Sequence, residues 1–266
     1  MRIVVVDDIL EIGHTVAQSL RGTAHDVHTL LTPRALAVAL REQRFDLAFV
    51  DVDFSYESPE TGLTALRHLA AHGVPSVIYS ADSEDNRVLF LLAAFQFYRP
   101  LTLLSKRANA DEIRELVDDF QRSGMTTVTD KEGDRYRSRD RPSLLDGLVR
   151  SPVDLTIWEN LSTHVTRTEI AMASFVSPRT VDYFLAEHYD AMLAIQSLHS
   201  RAPIISVLPD GDGSKKHFLA PMHAFAVTHF RFFQDPEVRA LVVERPVVRV
   251  STEASRGVQR RRGRRR

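Results

Sequence analysis

The sequence predicts an α/β fold, a doubly wound five-stranded parallel sheet, followed by a mainly helical helix-turn-helix domain with an extension. Strand and helix patterns alternate five times over residues 1–122, which implies a parallel sheet covered by helices on both faces. Residues 123–142 are polar, charged and without periodicity, and we predict a linker there. Helical spacing of apolar residues returns at residues 143–198, the predicted helix-turn-helix domain.

Four of the five predicted strands are short apolar runs, and each predicted helix follows a strand. We predict strands near residues 2–6, 26–30, 46–51, 75–79 and 100–105. We predict helices near residues 9–21, 34–43, 62–72, 85–95 and 110–122. Asp8 can cap the first helix, and Pro33 suits the first turn of the second.

The remaining residues form an unassigned extension, 199–255, and an arginine-rich tail, 256–266. Short strands are predicted at 204–208 and 247–250, and 223–233 fits either a helix or a strand. The tail carries seven arginines and no acid, so the rest of the chain has a net charge of about −8. Such a tail is expected to be disordered, and it either keeps the chain in solution or attracts nucleic acid without specificity.

Composition excludes several classes of protein. With 266 residues and ordinary apolar and charged fractions, the chain has room for two domains. It has no cysteine, which excludes disulfides, thiolate metal sites and thiol nucleophiles. We found no apolar stretch that approaches the length of a membrane span, and MRIVVVDD predicts a strand rather than a cleavable leader. The expected location is the cytoplasm, without a membrane partner.

Five polar residues follow apolar runs in the first half: Asp7, Asp8, Asp51, Ser80 and Lys106. The carboxyl ends of parallel strands meet at one edge of a doubly wound sheet, where such folds bind ligands. Three crowded carboxylates need a divalent cation, and oxygen ligands suit Mg²⁺. A hydroxyl and an ammonium opposite the metal suit a phosphoryl group. The set therefore predicts a site that forms and holds an aspartyl phosphate.

Each residue of this set, taken alone, has an ordinary structural explanation. Asp8 or Ser80 could cap a helix, Lys106 could be a solvated surface charge, and Asp51 could begin a turn. The functional interpretation is favoured because all the residues fall at strand ends on the same edge.

The runs VVVDD, FDLAFVD, VIYSA and LLSK, in this order, resemble the receiver domain of bacterial two-component response regulators, a flavodoxin-like fold. The resemblance covers about the first 122 residues. It implies that Asp51 is the phosphoacceptor and that a sensor histidine kinase is the partner. It implies that Ser80 and Lys106 bind the phosphate. The implied Mg²⁺ ligands are Asp7, Asp8, Asp51 and the backbone carbonyl of Asp53.

Three features depart from the family pattern. The loop between Asp51 and Gly62 is longer than usual and lacks the usual Met-Pro. Leu103 stands where the switch aromatic of the family would fall, and Arg107 follows Lys106 in place of a proline. The first two departures, the longer loop and Leu103, concern how phosphorylation is transmitted more than whether it occurs.

Residues 166–193 predict a helix-turn-helix. TEIAMA indicates a short helix, FVS a tight turn, and the second helix would start with Ser177 as N-cap and Pro178 at its first position. Ile170, Ala171 and Val176 can pack against Val181 and Leu185.

The EIA, Ser and Arg-Thr-Val elements of this stretch resemble the DNA-binding domain of LuxR/NarL-type regulators. The resemblance implies that the second helix enters the major groove of DNA. The DNA-contact candidates are Thr168, Ser177, Arg179, Thr180, Asp182, Tyr183 and Ala186. Asp182 departs from the pattern, since that place is often basic. The alternative is an ordinary helical hairpin of the core. In the extension, additional DNA contacts or a solvated face could come from Lys215, Lys216, Arg231 and Arg239.

The sequence therefore predicts a response regulator, not an enzyme, that controls transcription as a homodimer on DNA. Two alternatives stay open. One is a receiver-like protein that binds DNA or a partner constitutively, without phosphorylation. The other is a haloacid-dehalogenase-type phosphatase, because VDVDFS fits its DxD motif, with Asp51 as nucleophile and Asp53 as general acid–base. In those enzymes the paired acids come after the lysine, whereas Asp7 and Asp8 come first.

Overall fold

A computed structural model describes residues 1–54, 60–81, 85–124, 131–137, 143–198 and 218–244. One parallel sheet in the order β2-β1-β3-β4-β5 is the centre of the first half. Its strands are β1 (Arg2–Val6), β2 (Asp26–Leu30), β3 (Leu47–Val50), β4 (Ser76–Ser80) and β5 (Leu103–Ser105). The predicted fold class is confirmed: a doubly wound five-stranded sheet with a helical remainder.

Five helices cover the sheet: α1 (Leu10–Ser19), α2 (Pro33–Glu42), α3 (Gly62–Ala71), α4 (Val88–Ala93) and α5 (Ala110–Ser123). A 3-10 turn (Asp85–Arg87) precedes α4, and a π-helical turn (Ala94–Tyr98) extends it. The predicted position of Pro33 in the first turn of α2 is confirmed. The prediction that Asp8 caps α1 is wrong, because the N-cap is Ile9, whose amide donates to Asp7 Oδ1 at 3.0 Å.

The last strand is shorter than predicted. Arg99 ends the π-helical turn in the left-handed region, with φ of 50°, and β5 begins only at Leu103. The intervening residues still pair with the sheet, since the Ile78 amide donates to the Thr102 carbonyl at 3.0 Å.

The rest of the described chain is helical. Its helices are α6 (Lys131–Asp134), α7 (Leu144–Leu148), α8 (Pro152–Leu161), α9 (Arg167–Ala173), α10 (Pro178–Gln196), α11 (Leu219–Thr228), α12 (Phe230–Gln234) and α13 (Pro236–Glu244). Residues 223–233, for which helix and strand were both open, are helical on either side of His229. The predicted strands at 204–208 and 247–250 and the tail 256–266 lie outside the described residues. No helix in the described ranges is long and apolar enough to cross a membrane.

Part of the predicted linker 123–142 is packed rather than free. Residues 131–137 lie against the first half, where the buried Tyr136 ring stacks on Phe95 with centroids 6.1 Å apart. Arg137 Nη2 donates to the Leu101 carbonyl at 2.6 Å. Tyr136 is the buried aromatic residue of an otherwise polar stretch. A single aromatic residue does not create a periodic pattern, so the sequence did not predict that this stretch is packed. The linker role of 123–142 stays a prediction.

Two hydrophobic cores lie on opposite faces of the sheet. One core is formed by alternate strand residues, such as Ile3 and Val5, with α1 and α5. The other continues from the sheet through α2, α3 and α4 into α7–α13.

Trp158 lies at the centre of the helical half. Its ring centroid is 4.9 Å from that of the parallel Phe233 ring and 5.2 Å from that of the edge-on Phe184 ring. Burial of Phe90 of α4 against Phe232 of α12, with ring centroids 5.3 Å apart, joins the two halves.

Gly62 brings α3 against the loop that follows β3. A Cβ at this position would lie 2.0 Å from the Asp51 carbonyl oxygen and 2.5 Å from Val52 Cα. Only glycine permits this approach, which places the beginning of α3 beside the predicted phosphoacceptor.

Candidate functional site

The predicted site residues meet at the carboxyl edge of the sheet. Asp7 follows β1, Asp51 follows β3, Ser80 ends β4 and Lys106 follows β5. The strand order reverses between β1 and β3, which are hydrogen-bonded neighbours. A crevice at this switch point is where open α/β sheets bind ligands.

Three carboxylates of this edge form a candidate cation site. Asp7, Asp8 and Asp51 each offer an oxygen, and these oxygens lie within 4.8 Å of one another. Asp7 and Asp51 are 1% exposed, and Asp8 is half-buried. Burial and, to a smaller degree, the neighbouring Asp51 carboxylate raise the pKa of Asp7 to about 6 against the opposing effect of Lys106. The buried Asp7 Oδ2 atom has the Lys106 ammonium 2.6 Å away as an ion-pair partner, without an aligned hydrogen bond.

These observations fit a divalent cation. A cluster of three carboxylates carries more negative charge than its protein cations neutralise, and carboxylate oxygens are the ligands that Mg²⁺ prefers. The structure brings Asp7, Asp8 and Asp51 together as predicted. The backbone carbonyl of Asp53 as a fourth ligand stays a prediction.

Lys106 bridges two of the carboxylates. Its Nζ lies 2.5 Å from Asp51 Oδ2 and 2.6 Å from Asp7 Oδ2. Burial alone would lower the pKa of Lys106, but the two carboxylates outweigh burial and raise it above its usual value. The lysine is therefore charged at neutral pH, and its ammonium contacts the carboxylate of Asp51, the predicted phosphoacceptor.

Ser80 and Arg87 contact the other oxygen of Asp51. Ser80 Oγ donates to Asp51 Oδ1 at 3.3 Å, and Arg87 Nη1 lies 3.0 Å from the same oxygen. The same Nη1 donates to Ser80 Oγ at 2.8 Å. The sequence argument missed Arg87. Its signal was a single charge directly before VLFLLA, a helix with every residue buried.

The loop after Asp51, the predicted phosphoacceptor, is held by a residue from the extension. Arg231 Nη1 donates to Asp53 Oδ1 at 2.6 Å and also to the Phe54 carbonyl. Asn86 Nδ2 donates to Asp53 Oδ2 at 3.2 Å. The two contacts engage both oxygens of Asp53, which disfavours a phosphatase in which Asp53 is the general acid–base.

The proposed surface role of the extension's basic residues is wrong for Arg231. Its side chain is only 13% exposed, because it is paired with Asp53 in the loop that follows Asp51. Arg239 pairs with Glu159. Lys215 and Lys216 lie outside the described residues. Residue 231 lies 178 positions from Asp53 in the sequence, so no local pattern predicts their contact.

The helix-turn-helix geometry is present in α9 and α10. Ser177 caps α10 and accepts from the Thr180 amide at 3.1 Å, with Pro178 at the first position as predicted. The residues expected to pack between the helices are in the core, where Ile170, Ala171, Val181 and Leu185 are buried and Val176 packs against them.

Six of the DNA-contact candidates are exposed: Thr168, Ser177, Arg179, Thr180, Tyr183 and Ala186. Asp182 is only half-exposed and pairs with Arg167 Nε at 2.6 Å. Arg179 lies along its neighbour on α10, with Nε 3.0 Å and Nη2 2.8 Å from Tyr183 Oη. The structure therefore places all these candidates on one helix pair, and it assigns Asp182 a partner within that pair.

The turn between α9 and α10 carries an apolar residue that sequence reasoning missed. Phe175 is 95% exposed and adopts φ of 56°, in the left-handed region where a bulky residue is strained. Met172 on α9 is 72% exposed. Their exposure could not be read from the helical spacing alone.

Comparisons with known proteins show similarity to solved structures only. No family model matches the chain, and no curated protein matches it. The receiver domain of NtrX from Brucella abortus is 21% identical over 46% of this chain and 98% of its own, with a TM-score of 0.40. The RcsB response regulator of Salmonella typhimurium is 16% identical over 73% of this chain and 91% of its own, with a TM-score of 0.43.

A third neighbour is the signal receiver domain of a modulated diguanylate cyclase from Desulfovibrio desulfuricans G20, 19% identical over 44% of this chain and 90% of its own, with a TM-score of 0.38. Two of these neighbours are receiver domains and one is a response regulator. The strand order and the helix packing, rather than these low overall similarities, carry the fold assignment.

Proposed function

We propose that this protein is a response regulator of a two-component system, phosphorylated on Asp51 by a sensor histidine kinase. The observation that carries the proposal is the position of Lys106. Its ammonium bridges Asp51 and Asp7, with Asp8 beside them and Ser80 on the opposite oxygen of Asp51. Phosphoryl transfer requires a nucleophilic carboxylate, a cluster of carboxylates that can hold a metal cation, a hydroxyl and an ammonium.

In the proposed reaction, an oxygen of Asp51 attacks the phosphorus of a phosphohistidine on the kinase. The new P–O bond forms as the P–N bond breaks, and the imidazole nitrogen keeps the electron pair and takes up a proton. Lys106 neutralises charge beside Asp51, and the Ser80 hydroxyl donates to a phosphoryl oxygen. Asp7, Asp8 and Asp51 with the carbonyl of Asp53 would hold Mg²⁺, which neutralises phosphoryl charge when bound.

The phosphorylated state would have different exposed surfaces. A phosphoryl group adds about two negative charges, which the cations around Asp51 attract. Arg87 precedes α4, and Phe90 of α4 lies against Phe232 of α12 with ring centroids 5.3 Å apart. A displacement of α4 therefore changes its packing on the extension, and this favours a shift between two pre-existing arrangements of the halves.

The proposed output is transcription control by DNA binding through α9 and α10, with two copies reading two half-sites. Support comes from the capped, tightly joined helix pair and the exposed row of Thr168, Arg179, Thr180 and Tyr183. Arg179 at the start of α10 is the candidate phosphate contact, because side chains and amides at helix N-termini hold DNA phosphates.

Binding of beryllofluoride and Mg²⁺ by the full chain tests the phosphorylation proposal. We expect saturable binding by the wild-type protein, measured by titration calorimetry, and loss of binding in Asp51→Asn, since the anion mimics a phosphoryl group on that oxygen. Asp46→Asn is a matched control, because Asp46 lies at the opposite end of the sheet and bonds the Arg2 amide. No binding by the wild-type protein would remove the proposal.

Substitution of Arg179 tests the DNA proposal. We expect Arg179→Ala to weaken binding to a short duplex of arbitrary sequence and to lower the slope of log K against log salt by about 1, the contribution of one phosphate contact. Fluorescence anisotropy over a salt series measures both. Arg122→Ala, an equal loss of charge at exposed Arg122 on α5, should leave the slope unchanged. Equal slopes for Arg179→Ala and wild type would contradict the assignment.

A second candidate is a constitutive partner-binding protein. It is favoured by the exposed Phe175 and Met172 and by the charge of α9 and α10, where Asp182, Glu187 and other acids outnumber the arginines. The two proposals differ in one outcome. If binding to DNA or to a partner is identical with and without beryllofluoride, and identical in Asp51→Asn, the constitutive function replaces the switch.

A further inference from the structure

Arg87 is a buried cation beside the phosphoacceptor, outside the set of residues that the sequence argument assembled. Its Nη1 lies 3.0 Å from Asp51 Oδ1 and 2.8 Å from Ser80 Oγ. The side chain is 10% exposed, and Asp51 is 1% exposed. A guanidinium remains charged in a buried site, so the contact is a charge-assisted hydrogen bond with little water around it.

We propose that Arg87 binds the phosphoryl group of phosphorylated Asp51 and is a catalytic residue of phosphoryl transfer. The inference rests on the proposed function and adds a residue to it. Lys106 contacts Oδ2 of Asp51, whereas Arg87 and Ser80 contact Oδ1. Both carboxylate oxygens therefore have a cation within hydrogen-bond distance, and a phosphoryl group formed on Oδ1 would lie beside Arg87.

Charge balance supports a phosphoryl-binding role. Asp7, Asp8 and Asp51 bring three negative charges, while Lys106 and Arg87 bring two positive charges. Transfer replaces the carboxylate by a group with about two negative charges. An arginine placed at the reacting oxygen neutralises the charge that spreads over the phosphoryl oxygens during transfer, and it is already oriented before the reaction.

The local structure holds Arg87 in place. It is the last residue of the 3-10 turn and the N-cap of α4. The next residues, Val88, Leu89 and Phe90, are buried in the core that continues into the helical half. The guanidinium is thus positioned by a packed helix rather than by a solvated loop, which lowers the ordering cost of binding a phosphoryl group.

A different role for the same contact is an inhibitory ion pair, in which Arg87 only neutralises Asp51 and must move away before phosphorylation. The two roles predict opposite effects of removing the side chain. If Arg87 binds the phosphoryl group, Arg87→Ala loses that contact and its affinity for beryllofluoride falls. If Arg87 only neutralises Asp51, Arg87→Ala loses a competing cation, and its affinity for beryllofluoride stays equal or rises.

The experiment is calorimetric titration of the full chain with beryllofluoride at saturating Mg²⁺. We expect Arg87→Ala to bind about tenfold to a hundredfold more weakly, the range for a hydrogen bond to a charged group. Arg87→Lys should recover only part of this loss, because an ammonium lacks the planar fork of a guanidinium. Arg107→Ala, which removes an exposed arginine next to Lys106, is the matched control and should bind as wild type.

Circular dichroism and titration with Mg²⁺ alone keep the result interpretable. We expect a folded spectrum for each variant and an affinity of Arg87→Ala for Mg²⁺ at least equal to that of wild type, since a competing cation is removed. Equal or tighter beryllofluoride binding by folded Arg87→Ala overturns the inference and leaves the proposed function intact. If Arg87→Ala is unfolded, the same comparison with folded Arg87→Lys decides: equal binding to wild type overturns the inference. Failure of wild type to bind removes both.

Discussion

The two faces of the sheet are built differently. On one face, Val16 of α1 and Ile113 and Val117 of α5 close a core with the strands, and this core ends there. On the other face, the core under α2, α3 and α4 continues into the helices of the second half. The first face is complete within residues 1–124, whereas the second depends on chain that follows residue 143. The candidate site lies at the edge between the two faces.

Polar contacts reinforce the shared face. Glu237 of α13 accepts from Tyr98 Oη and from Arg67 Nε, each at 2.7 Å. Thr61 Oγ1 donates to Asp235 Oδ2 at 2.6 Å. The Asp235 and Glu237 carboxylates are buried, so breaking these contacts within the interface would leave buried oxygens without partners. The extension is therefore part of the packing of the sheet, rather than an appendage to the helix-turn-helix.

The largest expected effect comes from the centre of the shared core. Trp158→Ala should lower the free energy of unfolding by about 3–5 kcal/mol, because it removes a fully buried ring and leaves a cavity. It also leaves the Leu148 carbonyl without the indole donor at 2.8 Å. Hydrogen exchange should rise in α3 and α4 as well as in α8 and α10, since one core holds them all.

The matched control for Trp158 is Ile113→Ala, on the other face. We expect faster exchange in α1 and α5 and no change in α8 and α10, because this core does not reach the helical half. If exchange in Trp158→Ala rises only within α7–α13, the two halves are energetically independent and the proposed continuity of the core is wrong.

The sequence predicted the parts of the molecule that local patterns determine. Apolar runs before Asp51 and Lys106 located the strands, and alternation with helices gave the sheet and the edge at which the acids meet. The Ser177–Pro178 pair located the start of α10. In these cases the physical cause, strand burial or a cap, lies within a few residues of the consequence.

The sequence did not predict the contacts that tertiary packing creates. Arg231 and Asp53 are distant in sequence, and nothing near either residue distinguishes a buried pair from two surface charges. Arg87 was also missed, because a single arginine before an apolar helix is common. Residues 223–233 stayed ambiguous because their apolar residues follow neither a clear strand period nor a clear helix period.

The smallest expected effect concerns pH at the interface of the shared face. Burial raises the pKa of Asp235, and the nearby Glu237 carboxylate raises it as well. Hydrogen bonds from Thr61 and from the amides of Glu237 and Val238 lower the pKa but do not outweigh burial. Glu237 itself accepts hydrogen bonds from the Tyr98 hydroxyl and from the Arg67 guanidinium. Protonated Asp235 is thus favoured in the folded state. Its stabilisation is complete below the unfolded pKa of 3.8 and is lost as pH rises through the raised folded pKa.

Asp235→Asn tests this dependence, because an amide does not titrate and retains an acceptor oxygen for the start of α13. We expect the stability of wild type relative to Asp235→Asn to fall as pH rises from about 4 towards neutral, measured by urea unfolding at a series of pH values. Asp118→Asn, at an exposed residue of α5 on the opposite face, should show no such trend. A wild-type advantage that grows with pH would mean that ionised Asp235 stabilises the interface, and the shared face would then be held by charge rather than by a buried neutral acid.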